Sequence, residues 1–215
     1  MKQSLPFSVR ALVLTASLLL LAGCATPDKP VRSTLYDFGP GATEAAPPAP
    51  TATLPALVLA DVEATGALDG AALLYRLGYA DANQLRPYAQ ARWSAPPPQL
   101  IRQRIRELLG RERPVLDLNE SAAMARSNGA MPRVLRVELE EFSHYFDSPS
   151  QSWGLIRLHA TLMDNTPAGE KLVAQRMVTV RRPAASADAP GGVRALAAAT
   201  DAAADEIGQW LRQAK

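Results

Sequence analysis

The chain has 215 residues, with 23 Lys and Arg against 21 Asp and Glu, 18 Pro, two His and one Cys. A lone Cys forms no intramolecular disulfide, and one Cys with two His builds no Cys/His zinc site, so the fold must hold by packing. A formal charge of +2 is also too small for the positive footprint that nucleic-acid binding needs.

Lys2 and Arg10 precede an apolar run from Ala11 to Leu21, which leads into Leu21-Ala22-Gly23-Cys24. A basic start, a short apolar stretch and small residues before a cleavage point read as an export signal. The run is shorter than the roughly 20 residues that span a bilayer. Its last four residues resemble the lipobox of bacterial lipoproteins. The resemblance implies that residues 1–23 are a signal peptide, and that Cys24 is acylated and becomes the first mature residue, with several acyl chains giving a stable anchor. Cleavage removes Lys2 and Arg10 and no acid, leaving 21 residues of each sign. Ala25, where an Asp would retain the protein at the inner membrane under the enterobacterial sorting rule, implies a lipid anchor in the outer membrane with the chain facing the periplasm; the rule differs among bacteria, so the inner membrane stays open.

Residues 24–53 read as a Pro/Ala-rich tether, with Ala45-Ala46-Pro47-Pro48-Ala49-Pro50 as its clearest stretch. Such a composition favours extended, solvated backbone. Fully extended at about 3.1 Å per residue, it could hold a domain up to about 90 Å from the lipid. Thr34-Leu35-Tyr36-Asp37-Phe38 interrupts it with strand-like alternation, a segment able to dock on the domain and shorten that reach.

Residues 54–215 read as one folded domain. Leu57 to Val62 is a compact apolar strand. Leu73–Leu77 and Gln84–Tyr88 form a hairpin about a turn at Gly78–Asn83. A helix runs from Gln99 to Leu109 and ends at Gly110, with Leu100, Ile101, Ile105, Leu108 and Leu109 on one face and Arg102, Gln103, Arg106 and Glu107 on the other. Val115–Leu118 is a short strand, and Ser121–Met131 carries little pattern. Arg133–Phe142, Trp153–Met163 and Lys171–Arg181 are longer strands, the last two joined by a turn at Asn165–Gly169. A loop covers Pro183–Gly192. A terminal helix follows, with Val193, Leu196, Thr200, Ala203, Ile207, Trp210 and Leu211 as its inner face. The expected fold class is α+β: a single domain with a mainly antiparallel or mixed sheet covered by two amphipathic helices.

Residue types that carry chemistry are sparse. No nucleophile motif and no phosphate-cradling P-loop occurs, so no cofactor, metal or catalytic residue is assigned. His159 reads as a solvated strand residue. Glu140 and Glu141, at consecutive strand positions, are expected on opposite faces unless a bulge intervenes. Arg102, Arg104, Arg106, Arg111 and Arg113 read as a solvated helix face. Tyr75, Tyr79, Tyr88 and Trp93 cluster in the first hairpin and its exit, where they suit either a partner contact or packing under the helix.

Behind the lipobox, Leu35-Tyr36-Asp37-Phe38-Gly39-Pro40 is followed by Leu74-Tyr75-Arg76, then by Leu85, Tyr88, Trp93 and Pro96 in the spacing L-x-x-Y-x-x-x-x-W-x-x-P, and then by a helix. This resembles the ABC-type transport auxiliary lipoproteins, the family containing the lipoprotein of Pqi-type systems; the C-terminal half is similar in pattern only. The resemblance implies an outer-membrane accessory lipoprotein of an intermembrane (phospho)lipid transport system, with no bond chemistry of its own. Its partners would be an MCE-domain protein and the associated inner-membrane ABC permease and ATPase. Tyr36, Phe38, Tyr75, Arg76, Leu85, Tyr88, Trp93 and Pro96 are then the candidate partner-contact or motif residues, and homo-oligomer formation stays open. A structural lipoprotein of an outer-membrane assembly machinery is the alternative that the tethered α+β domain also fits. An envelope hydrolase has no constellation to support it.

Overall fold

A computed structural model describes residues 32–41, 54–120, 131–166 and 168–214. Cys24, the proline-rich stretch through Thr53 and positions 121–130 of the weakly patterned segment lie outside them. The body from Ser33 onward is built of strands β1 (Thr34–Tyr36), β2 (Leu57–Ala64), β3 (Ala72–Leu77), β4 (Ala82–Trp93), helix α1 (Pro97–Leu109), β5 (Val115–Leu116), β6 (Arg133–Ser148), β7 (Gln151–Thr166), β8 (Gly169–Pro183) and helix α2 (Ala189–Gln213). A 3-10 turn at Gly66–Asp69 separates β2 from β3, and one turn of helix at Gly78–Asp81 separates β3 from β4.

The eight strands form one mixed sheet, as the expected fold class has it. Antiparallel pairing joins β3 to β4, β6 to β7 and β7 to β8. β2 and β3 both run parallel to β6 along the same edge, β2 beside Arg133–Leu139 and β3 beside His144–Phe146. The sheet therefore forks along β6. Both helices pack on one face, and the core lies between: Leu57, Leu59, Trp93, Leu135, Val137, Phe142, Ile156 and Leu158 from the sheet meet Ile101, Ile105, Leu196, Ala199, Ala203 and Ile207 from the helices.

The fork coincides with a β-bulge in β6. Pairing with β7 shifts between Leu139 and Glu141, so the core-facing set changes phase from Leu135, Val137 and Leu139 to Phe142, His144 and Phe146. With Leu139 and Phe142 both in the core, Glu140 and Glu141 lie together on the other face instead of pointing apart. They diverge sideways. Glu140 accepts from Arg157 Nε of β7 at 2.9 Å, and Glu141 takes Arg76 of β3.

Element ends differ from the sequence reading where turn chemistry is local. β4 continues to Trp93 and β6 to Ser148, the second because alternation resumes in the opposite phase after the bulge. The strand expected through Leu118 stops at Leu116. α2 starts at Ala189 rather than Val193 because the Asp188 side chain caps it, accepting the Gly191 N–H at 2.8 Å. Two glycines let α2 approach the sheet: a Cβ on Gly154 of β7 would lie 2.3 Å from the Ala195 backbone, and one on Gly192 would lie 2.5 Å from the His144 ring.

Candidate functional site

The segment that interrupts the tether is locked to the domain. β1 pairs in parallel with the end of β4, Thr34 beside Ala91 and Tyr36 beside Trp93, and the Ser94 N–H donates to the Tyr36 carbonyl at 2.7 Å. Phe38 then turns inward, its ring edge-on to Trp93 with centroids 5.5 Å apart and to Phe142 at 6.1 Å. Asp37 Oδ1 accepts the Gly39 N–H at 2.8 Å, and Gly39 takes a φ of 75°, a left-handed turn that glycine adopts without a Cβ penalty.

Arg104 closes this clasp. Its Nη2 donates to the Phe38 carbonyl at 2.7 Å, while its Nε pairs with Asp201 of α2 at 3.2 Å and its Nη1 with Glu107 at 3.4 Å. One guanidinium thus joins the N-terminal segment to both helices. Burial pushes the Asp201 carboxyl up, with Arg104 opposing. The solvated face expected for the arginines is corrected at two positions: Arg104 is 9% exposed and Arg113 is 7% exposed. The cause is position, since Arg104 falls four residues after Leu100 and three after Ile101, inside the apolar stripe of α1. Pro96 is the N-cap residue of that helix, with Pro97 and Pro98 opening its first turn.

The rest of the motif fastens the hairpin to β6. Tyr75 packs on Tyr88 at 4.8 Å and on Phe146 at 6.2 Å. The Tyr88 hydroxyl bonds His144 Nδ1 at 2.8 Å, and His144 Nε2 bonds Ser152 Oγ at 2.8 Å. A neutral imidazole offers one donor and one acceptor, which suits this string. Burial holds it neutral, lowering its pKa to about 4 with Asp188 opposing, and burial likewise pushes the Tyr88 phenol up. On the opposite face, Arg76 grips Glu141 through Nε at 3.1 and 3.2 Å and Nη2 at 2.9 Å. Six of the eight motif residues therefore hold the clasp or the hairpin together by side-chain contact or pairing.

Of the other two, Pro96 caps α1 and Leu85 is half-buried in a cleft of about 900 Å³ at the fork, beside Val62, Leu68 and Leu139 and rimmed by Glu63, Asp69, Glu138 and Glu140. Trp93, weighed as contact or core, is core at 2% exposed. His159 lies half-exposed, 3.5 Å from Glu138. The sequence reading did not single out His144 and Ser152 as a pair, because the bulge that turns His144 to the core leaves only a break in alternation. Ser152, His144 and Tyr88 superficially suggest a nucleophile and its base. Ser152 is 4% exposed and His144 is fully buried under Gly192, so a substrate carbonyl could not come within about 3 Å without lifting α2. Among the described residues, no three His, Cys, Asp or Glu side chains gather as a metal site, and no helix is long and apolar enough to cross a membrane.

A second cavity of about 710 Å³ opens at the far end of the core, where β2 and β6 begin and α2 ends. Leu54, Leu57, Met131, Leu162 and Leu211 line it, with Arg113, Arg133, Asp164 and Arg212.

Comparison with known proteins agrees with this geometry. A crystal structure of a Xanthomonas campestris protein of family DUF330 is 20% identical, covering 83% of this chain and 94% of that one with a TM-score of 0.66. A second crystal structure, of an uncharacterized protein, is 14% identical, covering 84% and 99% at a TM-score of 0.58. Both are similar in fold alone. No curated protein matches the chain. The model of the ABC-type transport auxiliary lipoprotein component matches residues 36–208, from the clasp to the last turns of α2. The chain belongs to that family of ABC-type transport auxiliary lipoproteins.

Proposed function

We propose that the protein is anchored in the outer membrane through acylated Cys24, and that it docks the periplasmic conduit of an MCE/ABC-type intermembrane lipid transport system without catalysing a reaction. The observation that carries this reading is the clasp. Because β1 is bound into the sheet, only the stretch from Cys24 to Ser33 separates the anchor from the folded body, about 30 Å at full extension. Membership of the transport auxiliary family supports the association with transporter components, and a rigid body held near the lipid suits a part that positions a conduit. Residues 1–23 act in this reading as the signal peptide.

Affinity capture of the tagged full-length protein from detergent-solubilised envelopes tests the reading. An MCE-domain protein, a permease or an ATPase is expected in the eluate. Recovery of none of them, or of a β-barrel assembly component in their place, would overturn it in favour of a structural role in outer-membrane assembly. Cys24→Ala is expected to leave an unprocessed precursor that partitions away from the outer-membrane fraction.

A further inference from the structure

Three arginines, Arg113, Arg133 and Arg212, line the 710 Å³ cavity with one carboxylate, Asp164, and Glu112 reaches Arg212 from outside that lining. Arg133 Nε pairs with Asp164 at 2.8 Å, and Arg212 pairs with Glu112 at 2.6 Å. Arg113 has neither. It is 7% exposed, and among the described residues its guanidinium makes no hydrogen bond and no ion pair, with Nε fully enclosed and unpartnered. Burial disfavours this charge, and Glu112, already paired with Arg212, offsets that cost only from beyond ion-pair distance, so the guanidinium lacks a direct partner. Among the described residues, these five side chains leave an excess of one positive charge directly beside an apolar wall of Leu54, Leu57, Leu162 and Leu211.

We propose that this cavity binds a monoanionic single-chain amphiphile, a long-chain fatty acid being the simplest case, with its anionic head on Arg113 and its acyl chain along the apolar wall. The volume falls in the range of about 300–1,000 Å³ that accommodates a drug-sized ligand, which suits one acyl chain and not the two of a diacyl lipid. The terminal nitrogens of a guanidinium offer two parallel N–H donors to a carboxylate, so the head would give the buried charge a direct counter-charge while the chain covers apolar surface. The site stands apart from the clasp and the hairpin, and the inference holds whether or not the transport reading does.

Native mass spectrometry of the full-length lipoprotein, with palmitate, hexadecanol and inorganic phosphate added in separate runs, tests it. One palmitate per chain is expected, with hexadecanol at least about tenfold weaker and phosphate weaker still, the low end of what losing a charge-assisted hydrogen bond costs. Arg113→Gln should weaken palmitate at least about tenfold and leave hexadecanol unchanged, while Arg113→Lys keeps most of the palmitate affinity. Ala56→Phe, which fills the cavity from its lip, should abolish binding of both at an unchanged melting temperature, and keeps the test decisive should Arg113→Gln fail to fold. Equal affinity for palmitate and hexadecanol, phosphate binding as tight as palmitate, or palmitate retention in Ala56→Phe would each overturn the proposal.

Discussion

Arg104→Met removes the guanidinium that closes the clasp and keeps the stem that fills the space between the helices. The hydrogen bond to the Phe38 carbonyl, 2.7 Å long, is charge-assisted and contributes about 1.5–3 kcal/mol. The ion pairs to Asp201 and Glu107 count for less, because those carboxylates are 47% and 43% exposed; each contributes about 0–1 kcal/mol after solvent screening. A total of about 1.5–5 kcal/mol follows, and most of it falls on the N-terminal segment rather than on the core. The expected result is local opening. Hydrogen exchange of the Ser94 amide, which donates to Tyr36, should speed up at least about tenfold, while the amide of Leu135 in the central strand keeps its protection. Unchanged exchange at Ser94, or an equal acceleration at Ser94 and Leu135, would refute the view that Arg104 holds a separable clasp.

The pH dependence of stability should carry the mark of His144. Its pKa falls to about 4 in the folded state against an ordinary 6.5, so the unfolded chain binds the proton more readily. Stability is complete above about pH 6.5 and declines as the pH falls toward 4, by up to about 3 kcal/mol. Urea midpoints for wild type and His144→Gln at pH 7 and pH 4.5 measure it, and parallel declines would exclude His144 as the source. Arg76→Met should cost about 3–5 kcal/mol by leaving Glu141 buried without its partner. Arg76→Met with Glu141→Leu should recover a large part of that in thermal melts, and strict additivity of the two changes would argue against a coupled pair. Gly154→Val places a side chain into the Ala195 backbone, so α2 must lift; a melting temperature within 2 °C of wild type, a threshold of about 1 kcal/mol for a body of this size, would contradict so close an approach.

The strands with regular alternation were readable from sequence because one wet face imposes period two, as Leu135, Val137 and Leu139 do against Arg136 and Glu138. The β6 bulge was not, since a single inserted residue changes the phase without changing composition. The strand expected to end at Phe142 runs on to Ser148, so His144 had no strand position in the sequence reading, and Glu141, the partner of Arg76, was placed on the face opposite Glu140 except in the case of a bulge. The motif residues Tyr36, Phe38, Tyr75, Tyr88 and Trp93 were legible as a set. Their role was not, because aromatic side chains that bury large area serve a core and an interface equally. Arg104 could have been found by helical spacing alone: an arginine between Ile101 and Ile105 on the apolar stripe needs buried acceptors, and the nearest are the Phe38 carbonyl and Asp201.

The clasp also sets a local concentration. If Cys24 is the anchor, the covalent chain between it and the body could span at most about 30 Å with β1 in place, and about 90 Å if β1 were released and the chain ran to Thr53. Search volume grows as the cube of reach, so closure concentrates the domain about 27-fold in front of whatever stands beside it in the membrane. On the proposed anchoring, three residues of parallel strand and one arginine would act on encounter frequency without touching a partner.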